Sequence, residues 1–415
     1  MTELTTKLEK CRICKSSNFE SILNFGQISL TGVFIDDGTK VPKAALELVR
    51  CDECGLAQLN HSYAQDALYG ESYGYESNLN SSMREHLTSK AKLLESKYLL
   101  NADDSIVVDI ASNDGTLLSG YKNPNLQLVG IDPLINSLND LYPTNTIKIA
   151  GFFSESLYNK FFTKKATLVT SLSVIYDLED PMKFAKDVSA ILQNDGIWHF
   201  EQSYLPTMVA TNSFDTICHE HLLYLTLKDI KTILDSSGFQ IISVSLNDIN
   251  GGSIAITAKK TSTQFPEDPF LAFLLENERE LGYEDSTALI NFSAKIMKYK
   301  SQLTTLINNY KDKGFEIVAL GASTKGNVLL QFCSLNNEII KMVGDINPRK
   351  YGKRTPGTDI KIVSEDQVLA TAHDKMIAIV LPWHFRKGII EKSQKFLGLG
   401  GRFLFPLPNI EVISN

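Results

Sequence analysis

The chain has 415 residues, 43% hydrophobic and 21% charged, which describes a globular protein of two or three domains. Its net charge of −7, from 41 basic and 48 acidic side chains with no basic block, argues against nucleic acid or an anionic membrane as partner. No apolar run approaches the roughly 18 residues of a membrane helix. The N-terminal MTELTTKLEKCRIC lacks the apolar core of a secretory signal, so a cytoplasmic enzyme is expected.

The first motif is cysteine. Four of the six cysteines form two knuckles, Cys11-Arg-Ile-Cys14 and Cys51-Asp-Glu-Cys54. A two-residue spacer lets both sulfurs of a knuckle point into one turn, and two knuckles supply the four thiolates of a tetrahedral zinc site. With four cysteine ligands the metal keeps no open position, so the site is read as structural, tying down a small module. His61 is read as a solvated loop residue. Beyond it, Tyr69-Gly-Glu-Ser-Tyr-Gly-Tyr75 packs three tyrosines into seven residues, as a packing surface or as a source of a phenol.

The middle of the chain alternates strands and helical stretches. Ser105–Ile110 is a β-branched run of the kind found in buried parallel strands. It opens onto Ala111-Ser112-Asn113-Asp114-Gly115-Thr116, with a helix expected from Leu117. A second strand, Leu128–Ile131, ends in Asp132-Pro133. A third, Ala166–Thr170, leads into Ser171 and on to Asp177, and a fourth, Gly196–Phe200, ends at Glu201. This alternation predicts a doubly wound α/β sheet with ligands at the carboxyl ends of its strands. The first loop lacks the G-x-G-x-x-G that a pyrophosphate needs. Its acidic residues suit a cationic, phosphate-free nucleoside such as S-adenosylmethionine, with Asp109 opening the loop and Asp132 where a ribose diol is gripped. Two alternatives stay open at this point: an NAD(P)-dependent nucleotide-sugar oxidoreductase or epimerase, and a non-enzymatic zinc-ribbon adaptor.

After the fourth strand comes Asn212–Tyr224, containing Cys218-His219-Glu220-His221. Histidine beside a carboxylate is the usual equipment for moving a proton near neutral pH. Metal ligation is disfavoured, because adjacent strand positions face opposite ways and the HExxH spacing is absent. A helical connection is expected over 266–312. A second α/β domain follows, with strands at Phe315–Leu320, Lys341–Gly344, Met376–Val380 and Arg402–Phe405. Gly321-Ala-Ser323-Thr324-Lys325-Gly326 reads as a phosphate cradle at a helix N-terminus, though Asn327 and Val328 rule out a Walker A motif. Loops carrying Asp345, His384 and Arg386 add charged and aromatic groups.

Taken in order, these modules resemble the S-adenosylmethionine-dependent sugar C-methyltransferases of deoxysugar biosynthesis. The resemblance runs along essentially the whole chain and rests on Cys11/Cys14/Cys51/Cys54, DIASNDGT (109–116), NSFDTICHEHLLY (212–224), NGGS (250–253) and GASTKGN (321–327). It implies a zinc-binding module over 1–68, a class I methyltransferase domain over 69–265, the helical connection, and a C-terminal Rossmann-like domain over 313–415. It also implies S-adenosylmethionine at Asp109, Ser112, Asn113, Asp114, Gly115, Thr116, Asp132, Pro133 and Ser171. The implied acceptor is a dTDP- or GDP-linked 4-keto-6-deoxy sugar, methylated at C3 through an enolate and contacted by Tyr73, Asn250, Gly251, Gly252, Ser323, Thr324, Lys325, Asp345, His384 and Arg386. The family pattern puts the base at His221, with Glu220 beside it and Tyr75 orienting the ketone. Cys218 and Asp177 stand where relatives carry tyrosine and histidine. A monomer is expected, since each module has its own ligand or metal.

Overall fold

The computed structural model describes residues 4–36, 38–64, 68, 75–99, 105–138, 142–260 and 268–415; Tyr73 lies outside the described residues. The chain forms two compact units. A terminal unit joins Met1–Gly74, Leu205–Tyr224 and Leu281–Asn415, and a central unit joins Tyr75–Tyr204 and Leu225–Glu280. Residues 205–224, expected inside the methyltransferase domain, therefore pack with the terminal unit. The physical reason is pairing: strand Leu223–Tyr224 adds antiparallel to Ala57–Leu59.

The central unit is one seven-stranded sheet. Its spatial order is Ile147–Ala150, Gln127–Asp132, Ile106–Ile110, Ala166–Leu172, Leu192–Ser203, Ser253–Lys260, Phe239–Asn247. The first five run parallel, and Ser253–Lys260 is antiparallel to both of its neighbours. Ile106–Ile110 is buried on both faces, as its unbroken apolar run requires. From this strand successive connections lead first to one side and then, through Ala166–Leu172, to the other. That reversal opens a crevice at the carboxyl ends, where Asp109 and the loop after it lie. The helix expected from Leu117 is only a 3-10 turn, Leu118–Gly120. Gly120 packs against the Thr88 backbone, where a Cβ would come within 2.9 Å.

The terminal unit holds two larger sheets. Leu223–Tyr224, Ala57–Leu59, Lys43–Cys51 and Phe19–Ser29 form an antiparallel sheet that carries the cysteine knuckles. Ile362–Ser364, Val343–Asp345, Glu316–Leu320, Met376–Val380 and Arg402–Phe405 form a parallel sheet, closed by antiparallel Glu411–Ile413. The expected connection over 266–312 is not one helix. Pro269–Glu280 ends the central unit, and Thr287–Asp312 begins again after a turn in which Gly282 takes φ +82°. An aromatic cluster of Phe25, Phe214, Tyr299 and Phe332 packs the knuckle-bearing sheet, the 212–224 segment and two helices together. Among the described residues no helix is long and apolar enough to cross a membrane.

Candidate active site

The four cysteine sulfurs of the terminal unit lie within 4.8 Å of one another. Cys11 Sγ is 3.6 Å from Cys54 Sγ, and Cys14 Sγ is 3.5 Å from Cys51 Sγ. A tetrahedral zinc with bonds of about 2.3 Å separates its sulfurs by about 3.8 Å. The donor set therefore fits zinc. Each knuckle is closed by a tight turn, Lys15 N–H to the Cys11 carbonyl and Gly55 N–H to the Cys51 carbonyl, with Lys15 and Gly55 both at positive φ. Arg12, buried between the first two cysteines, donates to the carbonyls of Leu59 and His61 at 2.9 and 3.2 Å. It ties that knuckle to the sheet. His61 belongs to strand His61–Tyr63, half-buried, rather than to a solvated loop.

In the central unit the loop after Ile106–Ile110 is conformationally costly: Ala111, Asn113 and Gly115 take φ of +56°, +50° and +77°. Asp132 holds it. Its Oδ2 accepts the Asn113 N–H at 2.9 Å, and its Oδ1 accepts the Leu134 N–H at 2.7 Å, next to Pro133. Tyr142, which sequence reasoning missed, clamps the loop from above. Its hydroxyl donates to the Asn113 carbonyl at 2.6 Å and lies 2.8 Å from Ser112 Oγ. Its ring occupies the space that side chains at Gly115 and Gly130 would fill.

The carboxylates of this loop oppose one another. Burial first, then repulsion from Asp132 and Asp114, pushes Asp109 up to about 7 against the Thr170 hydroxyl that bonds it at 2.7 Å. Burial and Asp114 likewise raise Asp132. A cationic ligand relieves such an arrangement and a phosphate aggravates it, so the residues present fit a sulfonium and an ammonium.

Several expected cofactor contacts also have protein partners. Asn113 Oδ1 accepts the Ser77 N–H at 3.1 Å and its amide donates to the Tyr75 carbonyl; Asp114 accepts the Asn78 N–H at 2.7 Å and the Thr116 hydroxyl at 2.6 Å. Asn113 and Asp114 thus hold segment 75–78 onto the loop, with the Tyr75 side chain 47% exposed. Ser171 Oγ accepts the Trp198 indole N–H at 3.0 Å. Asp177 ends a short 3-10 turn, Ile175–Asp177. Asn250 and Gly251 close the 3-10 turn Ile249–Gly251, and the Gly252 carbonyl accepts the Tyr204 N–H. Sequence reasoning also left Glu201 as a mere strand end. The structure surrounds it with His86 at 2.7 Å, Lys90 at 3.0 Å and Asn247 at 2.9 Å, and although burial opposes ionisation these donors hold its carboxyl down at about 2.

The second chemical cluster is in the terminal unit. Cys218–His221 forms a turn, closed by the His221 N–H to the Cys218 carbonyl, and not the strand on which opposite-facing side chains were expected. His221 Nδ1 lies 2.8 Å from the Thr216 carbonyl. A carbonyl only accepts, so Nδ1 carries the proton and Nε2 keeps its lone pair. Burial, then the Lys325 ammonium, lowers the imidazole to about 3, which keeps the ring neutral.

Lys325 also acts on His384, Cys218 and Asp215. Asp215, a residue that sequence reasoning did not single out, accepts the Trp383 indole N–H at 2.9 Å. Burial raises Glu220, opposed by Cys218, Thr31 and the Gly32 backbone.

The 321–326 loop is fixed by contacts within the protein. Ser323 caps helix Thr324–Phe332 by accepting the Gly326 N–H, and a Cβ on Gly321 or Gly326 would strike Pro382 or Leu381. These glycines serve close packing. Asp345 is taken up by the Asn347 N–H at 2.7 Å and by Lys350, and Arg386 by Glu411 at 2.7 Å and the Phe405 ring. The structure thus gathers His221, Glu220, Cys218, Lys325 and His384, and leaves Asp345 and Arg386 in other contacts.

Comparison with known proteins divides the chain into three modules. Three family models match in succession: a zinc binding domain over 11–69, a methyltransferase domain over 81–244 and a C-methyltransferase C-terminal domain over 248–408. The chain is 29% identical over 419 aligned residues to the C-methyltransferase NovU of Streptomyces niveus, covering 100% of this chain and 99% of that protein. Solved structures with partial likeness include the plantazolicin methyltransferase BpumL (14% identity, TM-score 0.36, 45% of this chain and 88% of that one). Another is the magnesium protoporphyrin IX methyltransferase of Synechocystis (13%, TM-score 0.32, 43% and 79%). The nicotinamide and adaptor readings fall away, and zinc and S-adenosylmethionine are the metal and methyl donor. With all three domains present in order, the chain belongs to the S-adenosylmethionine-dependent C-methyltransferases.

Proposed function

We propose that the protein methylates C3 of a nucleotide-linked 4-keto-6-deoxy sugar, with dTDP or GDP as the nucleotide, in branched deoxysugar biosynthesis. The observation that carries this reading is the state of His221: neutral, with Nδ1–H given to the Thr216 carbonyl, so that its basic nitrogen is Nε2. A neutral imidazole can take up a proton, here one made acidic by an adjacent ketone. Bound S-adenosylmethionine supplies an electrophilic methyl group, and Asp132, the 112–116 loop and Asp109 are the residues that would hold it.

In the terminal unit His221 Nε2 takes the C3 proton. The Lys325 ammonium, acting on His221 and on His384, stabilises negative charge as it develops on the ketone oxygen. In its carboxylate form Glu220, next to His221 in the chain, favours the imidazolium that the proton transfer creates. The nucleotide sugar is read as binding the C-terminal sheet at the crevice between strands Glu316–Leu320 and Met376–Val380, where the strand order reverses.

The experiment is turnover of S-adenosylmethionine to S-adenosylhomocysteine by purified protein against a panel of nucleotide 4-ketosugars. Turnover is expected only with a ketosugar present. His221→Asn is expected to abolish it while S-adenosylhomocysteine still binds. Turnover with no sugar of the panel, or undiminished turnover in His221→Asn, contradicts the reading.

A further inference from the structure

Segment Ser29–Gly32 leaves the zinc-binding sheet at the end of strand Phe19–Ser29 and is held from one side by helix Thr324–Phe332. Gln331 brackets Ser29, its amide donating to the Ser29 carbonyl at 3.1 Å and its Oε1 accepting the Ser29 N–H at 2.8 Å. Four residues earlier on the same helical face, Asn327 donates to the Thr31 carbonyl at 2.7 Å, with both residues wholly buried. Three hydrogen bonds from two side chains therefore fix the backbone of 29–31.

What this segment offers on its other side is aimed at the His-Glu-His turn. Thr31 Oγ1 lies 3.3 Å from Glu220 Oε2 and 3.5 Å from His219 Nδ1, and Gly32 packs against the same carboxylate. A Cβ on Gly32 would stand 2.1 Å from Glu220 Oε1. A side chain there would displace the carboxylate. A buried carboxylate stays ionised only if donors replace the water it lost. The groups acting on Glu220 are the Thr31 hydroxyl and the Gly32 backbone from the zinc-binding sheet, with Cys218 and its own backbone N–H from the turn. Lys325 reaches Cys218 and His221 from helix Thr324–Phe332.

We propose that Thr31 and Gly32 are positioning residues that orient Glu220, so that the zinc-binding sheet takes part in proton transfer as well as in folding. The catalytic part of this inference rests on the role given to Glu220 above. The hydrogen bonds themselves do not.

The test uses full-length, zinc-loaded protein carrying Thr31→Val, which keeps the shape and removes the donor, Thr31→Ser, which keeps the donor, and Gly32→Ala. Thr31→Val and Gly32→Ala are expected to lower kcat about tenfold or more, the loss of one good hydrogen bond to a charged group. KM and zinc content should stay near wild type, and Thr31→Ser should restore most of kcat. A kcat for Thr31→Val within about twofold of wild type, or a Thr31→Ser as impaired as Thr31→Val, overturns the proposal. If Thr31→Val folds poorly, Thr31→Ala carries the same comparison.

A second readout needs no substrate: ¹³C NMR titration of the glutamate carboxyls, with the Glu220 signal assigned from Glu220→Gln. Its midpoint should rise in Thr31→Val and stay put in Thr31→Ser, and an unmoved midpoint in Thr31→Val overturns the proposal. A shifted midpoint in a protein that methylates no ketosugar would count against the proposed function alone.

Discussion

The methyl-donor loop of the central unit and the proton-handling cluster of the terminal unit are assembled in opposite ways. The loop is built mainly from one stretch of chain. Asp109, residues 111–116, Asp132 and Tyr142 lie close in sequence, and they hydrogen-bond one another and the neighbouring segment 75–78. The cluster draws on four distant segments, Thr31–Gly32, Asp215–His221, Lys325 and Trp383–His384. A site built locally tolerates damage elsewhere in the chain, whereas a site built from four segments depends on everything that holds those segments in register. Zinc is part of that dependence.

Removing zinc should sharpen the contrast most. Cys11→Ser, or chelation of the metal, is expected to release zinc and melt the knuckle-bearing sheet, with a loss of several kcal/mol. A spectrophotometric zinc assay with calorimetry checks it, and S-adenosylhomocysteine affinity should fall far less than methyl transfer. Equal loss of both would break the comparison.

Asp132→Ala comes next and acts on the other site. It strips acceptors from the Asn113 and Leu134 N–H groups and from the ligand's hydroxyls, so S-adenosylhomocysteine affinity should fall by about 2–4 kcal/mol. Isothermal titration measures this, with the zinc content expected unchanged. Gly115→Ala places a Cβ against the Tyr142 ring at positive φ and should cost about 1–3 kcal/mol of stability, read from chemical denaturation.

The pH dependence is more diffuse. His199, His219, His221 and His384 are all held neutral by burial, lowered to about 3–4 from an ordinary 6.5. The unfolded chain therefore binds more protons than the folded one between those values. The histidine contribution to stability is fully present above about pH 6.5 and is lost as the pH falls toward 4, while the raised Asp109 contributes with the opposite sign over the same range. NMR titration of the ring protons tests the histidines separately from the carboxyls. Ring midpoints near 6.5 would show that these rings are not held as described. The smallest effect expected is that of Tyr142→Phe, about 1 kcal/mol of stability for the lost bond to the Asn113 carbonyl.

How much of this was legible in the sequence follows the same contrast. The two knuckles, the β-branched strands and the acidic loop after Ile110 were readable because their signals are local: spacing within a turn, or an unbroken apolar run. The His-Glu-His motif was readable as chemistry. Its setting was not. That it forms a turn, packs with the terminal unit and lies in the field of Lys325 depends on partners such as Ala57–Leu59 and Lys325, about a hundred residues away or more, which no periodicity records. For the same reason Asn113, Asp114 and Ser171 read as ligand contacts, although their side chains spend hydrogen bonds on segment 75–78 and on Trp198. The glycines of 321–326 looked like a phosphate cradle because closeness to a ligand and closeness to Leu381–Pro382 make the same demand on the sequence.

The central claim is that the terminal unit removes a proton from carbon before any methyl group moves. The most direct measurement is proton NMR of a nucleotide 4-keto-6-deoxy sugar in D2O with this protein and no methyl donor. Exchange of the C3 hydrogen for deuterium, lost in His221→Asn, is the result expected. Full retention of that hydrogen, in a protein that still transfers methyl groups to the sugar, would contradict it.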